Sequence, residues 1–396
     1  MKQFPNIVQS NLVAKDELVK MLFYVGLQKT SRVSQSITNV LLNKLQKNFD
    51  SFNLNDTCIM ASAIFKCSLP KANAKAVNVI IKMMNENLDF LLDNPQELIC
   101  LLKVLRQQQY HDYDLLQRLV DKLEKWPKED TLKLAHILSY FAEAKFAHNK
   151  LNDVIISSIE NLNFDTRIKD IARILWVASA LNVAIHGKIV ESIWNVLQLK
   201  KEECLAYPDV LVNCLVSMAV LEYYNLDLTK LVLEKKSLEQ LENMQKIAPW
   251  LRLNNLLELM KIECGSELVY PGPPLPTQMI SKSIEARPGL KRIFFATKCL
   301  ASKLKIEVSC QFNTLPAIHN AGIEVIKDNK NLSIEVLDPP VCLHNSSQPA
   351  SYMKLKLRLS KKLNKKVLLV DSGKLALTDE ELFLWLEDEL VRLLNI

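Results

Sequence analysis

Glycine is nearly absent from this chain, with 7 residues in 396, against roughly 7% in ordinary globular domains. A loop that cradles phosphate relies on glycine to let backbone N–H groups approach the anion. No GxxxxGK[ST] loop exists, and no GxGxxG follows a strand, so ATP and dinucleotide chemistry find no support. HRD and DFG triplets, a GxSxG elbow and an HExxH helix are missing too, which weakens kinase and hydrolase readings. No run reaches the ~18–20 apolar residues that a spanning helix requires, so no membrane insertion is expected. The 9 cysteines include no CxxC pair, and the 6 histidines stand apart from them in sequence. An odd, scattered set predicts no disulfide framework, no zinc site and a reducing compartment. The opening MKQFPNIVQSNLVAKDELVK lacks both a secretory apolar run and the arginine-rich character of a transit peptide.

What the chain has is apolar content, 49% hydrophobic residues at a mean hydropathy of +0.04. With no spanning run, that surplus belongs in buried faces between packed helices. A chain this long also exceeds one ordinary core. Apolar runs recur as MLFYV from Met21, MASAIF from Met60, LLKVL from Leu101, ILSYF from Ile137, ILWVAS from Ile174 and CLVSMAV from Cys214. Their starts step by 39, 41, 36, 37 and 40 residues. A second amphipathic segment follows each run, such as LLQRLVDKL (115–123) or LNDVIISSI (151–159). One helix pair per repeat is the signature of a helical solenoid. A single irregular helical domain is the alternative.

The pattern breaks at PGPPLP (271–276), which cannot be helix and predicts an extended connector. Beyond it, TQMISKSI (277–284) and GLKRIFFATKCLASKL (289–304) predict helices. GIEVI (322–326) and LSIEVL (332–337) predict a hairpin about KDNKN. A helix over 352–365, a buried strand over 366–371 and a helix over 379–394 complete the order. The fold class expected is mainly α, a solenoid-like array followed by a small α/β domain. The expected domains are 1–262 helical repeats, 263–310 connector and basic helices, and 311–396 the α/β domain.

Charge is uneven along the chain: +1 over residues 1–270, +10 over 271–370 and −5 over 371–396. On a helical wheel Lys354, Arg358, Lys361, Lys362 and Lys365 share a ~100° arc, beside a core arc of Leu355, Leu359 and Leu363. A clustered basic stripe attracts phosphate, so these five residues are the candidate RNA contacts. A solvated helix face is the plain alternative, and Lys291, Arg292, Lys298, Lys303 and Lys305 upstream favour binding. One acidic set competes for attention: Glu324 and Glu335 on paired strands, Asp338 after them, and Lys354 on the next helix. Carboxylates with a lysine are what a Mg²⁺-dependent nuclease needs to hold its metal and orient water. The alternative is a half-exposed hairpin carrying ordinary surface charges. His319 and His344 flank that hairpin.

These residues resemble a known family. IEC (262–264) with YPGPPLP (270–276) is similar to the junction of the FAST-kinase-domain proteins. The segment 314–371, through IEVI, LSIEVLDPP and MKLKLRLSKKLNKKVLLVD, resembles their C-terminal RAP domain. The upstream repeats match the helical region of the same family. The resemblance implies a mitochondrial matrix protein that binds mitochondrial RNA and affects transcript stability, processing or translation. Other RNA-processing proteins are implied as partners. It also implies a RAP fold similar to PD-(D/E)xK nucleases, although nothing in the residues supports the family's kinase label. The chain departs from that pattern at three points. Gly322 stands where the family has an acid two residues before Glu324, Asp371-Ser372-Gly373 replaces a tryptophan-glutamate element, and Glu335 is followed by Val336 and Leu337 rather than x-Lys. The expectation is therefore a non-catalytic RNA-binding module with no cofactor. Mg²⁺ enters only if the endonuclease alternative holds, and a helical scaffold for protein partners is the third reading.

Overall fold

The computed structural model describes residues 13–28, 31–69, 73–123, 130–275, 284–311, 315, 318, 320–344 and 346–396. Most of TQMISKSI, and His319, lie outside the described residues. The chain divides into two compact units, Met1–Ala144 and Lys145–Ile396.

The first unit contains α1 (Lys15–Gly26), α2 (Arg32–Leu45), α3 (Leu54–Lys66), α4 (Ala74–Glu86), α5 (Leu88–Asp93), α6 (Pro95–Gln107), α7 (Tyr113–Leu123) and α8 (Thr131–Glu143). The helices built from the recurrent apolar runs stack on one another, α1 on α3, α3 on α6 and α6 on α8. Leu22, Met60, Leu101 and Leu138 are fully buried between them, and each such side chain contributes about 1.5–3 kcal/mol.

The second unit begins with α9 (Asn149–Glu160), α10 (Ile168–Ala180), α11 (Gly187–Leu199), α12 (Lys201–Ala206), α13 (Pro208–Val220), α14 (Leu226–Leu233), α15 (Lys235–Asn243) and α16 (Ile247–Cys264). Again the apolar helices stack, α10 on α13 and α13 on α16. Helix α13 is buried almost all round, as an interior element should be. Gly265, in the left-handed region, ends α16. No described helix is long and apolar enough to cross a membrane.

An α/β module follows, made of α17 (Pro288–Leu304), β1 (Glu307–Gln311), β2 (Gly322–Lys327), β3 (Lys330–Val336), α18 (Ser351–Lys362), β4 (Lys366–Val370), α19 (Ser372–Leu375) and α20 (Asp379–Leu394). The sheet order is β1-β2-β3-β4. The first three strands are antiparallel, and β4 pairs parallel to β3 after the α18 crossover. Asp328 and Asn329 both have positive φ, +47° and +66°, the backbone that a two-residue hairpin turn demands. Ile323, Val325, Leu332, Ile334, Val336, Leu368 and Val370 face a core closed by α17 and α20. Because strand side chains alternate, Gly322, Glu324, Ser333 and Glu335 point to the opposite face, toward α18.

Glycine scarcity shapes how the repeats end. The residue after each stacked helix that must enter the left-handed region is usually glycine. Here it is Ser68, Gln109, Lys145, Asn182 or Glu222, all at positive φ. Each such position costs about 1–2 kcal/mol of backbone strain, less for Asn. Around them the backbone closes with paired bonds, for example Val183 N to Ala178 O at 2.9 Å and Tyr223 N to Met218 O at 2.9 Å. Unlike glycine, these residues carry side chains that reach outward. In the second unit three of them meet the α/β module. Lys145 Nζ donates to Pro340 O, Asn182 Nδ2 donates to Pro349 O at 2.9 Å, and Glu222 pairs with Arg358 at 3.4 Å. Successive repeat turns thus form the dock for the module.

Candidate nucleic-acid interface

Helix α18 is the central element of the site, and its two faces carry opposite roles. Leu355 and Leu359 are buried as the wheel predicts, whereas Leu363 is 41% exposed. Lys354, Lys361 and Lys362 lie exposed on the outer face, and none has an ion-pair partner among the described residues. Tyr352, at the start of the helix, is half exposed. No sequence signal marks this aromatic, which falls in the leucine arc on the helical wheel.

Arg358 is engaged differently. Its guanidinium makes a two-pronged bond with Glu263, 2.9 Å on each prong. It also donates to Ala219 O at 3.0 Å and Val220 O at 2.8 Å, capping the carbonyl end of α13. Tyr224 donates its hydroxyl to the same Glu263, and burial plus that carboxylate push its phenol well above the usual range. Arg358 therefore ties α18 to the helical array, with its fork geometry already spent on a carboxylate. Lys365 turns inward as well, toward Glu324 Oε1 at 3.8 Å.

The acidic candidates are each matched to a separate cation. Glu324 faces Lys365. Glu335, at 0% side-chain exposure, receives Lys356 Nζ at 2.7 Å, and that ammonium is itself at 0%. Lys356 also donates to Asn320 O at 3.0 Å, and Ser333 donates to Glu335 at 2.9 Å. Asp338, fully buried, is held by Arg287 at 2.9 Å and accepts from Leu290 N at the start of α17. Arg287 completes the knot through Asn320 Oδ1, Ala321 O and Val336 O.

The lysine that meets the strand carboxylates is thus Lys356, not Lys354. Its place at the edge of the leucine arc is the available signal, because a buried lysine demands a buried acid. Burial holds the Lys356 ammonium below the usual lysine range, and Glu335 opposes that effect. Gly322 is what makes room for it: a Cβ on Gly322 would stand 2.7 Å from Lys356 Nζ and 2.8 Å from Glu335 Oε1. These carboxylates do not fit Mg²⁺, which needs several oxygens converging on one point. Among the described residues no group of three His, Cys, Asp or Glu side chains could hold a metal.

Of the upstream basic candidates, Lys298 lies over the Phe294 ring and Lys305 is exposed, while the other three are paired. Lys291 pairs with Glu285 at 2.8 Å, Arg292 with Asp379 at 2.6 Å, and Lys303 with Glu387. The acidic closing helix α20 therefore answers two of the cations of α17, Arg292 and Lys303. His344 donates its backbone N–H to Lys145 O at 2.8 Å, and its ring stacks on Phe146, so it belongs to the dock.

Comparison with known proteins adds ancestry to this geometry. The human protein named FAST kinase domain-containing protein 5, mitochondrial, is 22% identical over 375 residues, 90% of this chain and 47% of its own length. Its counterpart in Macaca fascicularis is 23% identical over 72% of this chain, and that of Mus musculus 20% over 63%. The chain is a homologue of the FAST-kinase-domain proteins. Its FAST-kinase relatives are all named mitochondrial, in agreement with the address the sequence implies. The chain spans about half the length of the human relative it matches. No family model matches it.

Proposed function

We propose that this chain is a mitochondrial RNA-binding protein acting on the stability, processing or translation of mitochondrial transcripts. In this reading its RAP-like α/β module grips RNA without cutting it. The observation that carries the proposal is the division of labour on α18. Lys354, Lys361 and Lys362 stand outside and unpaired among the described residues, positioned to take phosphates, while Lys356 fills the acidic site from within. Tyr352, half exposed at the start of α18, adds a face on which a splayed base can stack. Kinship with the FAST-kinase-domain proteins supports the mitochondrial RNA context.

The endonuclease alternative is disfavoured because Glu324, Glu335 and Asp338 each already hold a cation. Ultraviolet crosslinking of the purified chain to single-stranded RNA, with peptide mapping, tests the proposal. Crosslinks within 352–365, on RNA that stays intact in Mg²⁺, are expected. Crosslinks confined to the helical array, or cleavage abolished by Glu335→Gln, would overturn it. Absence of crosslinks altogether would favour a scaffold for protein partners.

A further inference from the structure

Two thiols in the first unit form a site that RNA binding does not use. Cys58 lies on α3 and Cys100 on α6, helices of successive repeats that pack side by side. Cys100 Sγ donates to the Cys58 carbonyl oxygen at 3.4 Å, which sets the two thiols beside each other on the facing helices. Neither is sealed from solvent, whereas Cys67, Cys204, Cys214 and Cys342 are buried.

We propose that Cys58 and Cys100 are a peroxide-oxidisable dithiol that closes to a disulfide between successive repeats. The roles of the two sulfurs follow from their surroundings. The neighbouring Cys58 side chain holds the Cys100 thiol below its usual value, with Lys103 and Lys66 adding positive potential. The Cys100 side chain beside it and burial push Cys58 up. Cys100 is therefore the attacking thiolate and Cys58 the resolving thiol. The Cys100 sulfur attacks one oxygen of hydrogen peroxide and breaks the O–O bond. It becomes a sulfenic acid, and the other oxygen leaves as water. The Cys58 sulfur then attacks the Cys100 sulfur, and the sulfenic oxygen leaves as a second water, carrying off the Cys58 proton. Two thiols and one peroxide give one disulfide and two waters. A link across 42 residues would staple neighbouring repeats, reversibly in a reducing compartment.

The test treats the reduced full-length chain with hydrogen peroxide and maps peptides without reductant. A Cys58–Cys100 crosslink is expected roughly tenfold sooner than oxidation of the exposed Cys264 and Cys299. Cys58→Ser should leave Cys100 as a sulfenic acid that dimedone traps, and Cys100→Ser should abolish the reaction at this site. Oxidation of Cys264 and Cys299 with no Cys58–Cys100 link would overturn the proposal. So would unchanged reactivity of Cys58 in the Cys100→Ser chain.

Discussion

Replacing Lys356 with methionine is expected to cost about 3–5 kcal/mol, because it strands Glu335 as an uncompensated buried carboxylate. Both side chains of the pair are at 0% exposure, so solvent cannot take over the lost partner. Glu335→Leu alone should cost a similar amount, by stranding the ammonium. The double variant Lys356→Met with Glu335→Leu should recover most of the loss, since well-packed apolar pairs often match buried ion pairs. Hydrogen exchange of peptides from β3 and α18 reads this locally, and the singles should lose protection that the double regains. If the double is as damaged as the sum of the singles, Lys356 is not answering Glu335.

Arg358→Ala is expected to loosen the module from the helical array by about 2–3 kcal/mol. That is the lower part of the range for breaking a hydrogen-bonded charge pair, because Arg358 keeps 18% side-chain exposure. The loss leaves Glu263 half-answered by Tyr224 and frees the carbonyls of Ala219 and Val220. Hydrogen exchange should rise at the end of α13 and in α18 while β2 and β3 stay protected. Unchanged protection together with weaker RNA binding would return Arg358 to the phosphate-contacting set that the sequence suggests.

The repeats were legible because their helices bury leucines at a fixed spacing that survives divergence. The hairpin, the crossover helix and the closing helix were legible from alternation, wheel pattern and acidic capping. Strand β1 was not, because EVSCQ (307–311) offers only Val308 and Cys310 as half-buried apolar residues at a sheet edge. The site is legible only in halves. Its exposed lysines show in the sequence, whereas the partner of Arg358 lies 95 residues upstream and no local pattern announces it. The same limit hid the pairing of Arg292 and Lys303 with α20. Lys356 was visible in principle as a lysine among leucines, and its meaning depended on Gly322 and Glu335 arriving from two strands.

The central claim is that the outer lysines of α18 hold RNA phosphates, and the salt dependence of RNA affinity tests it most directly. For single strands, log affinity falls against log salt with a slope of about −0.7 per phosphate neutralised. The Lys354→Glu, Lys361→Glu, Lys362→Glu variant should bind more weakly and show a slope flatter by about 2, with helical content intact. An affinity and slope equal to those of the unaltered chain would contradict the account.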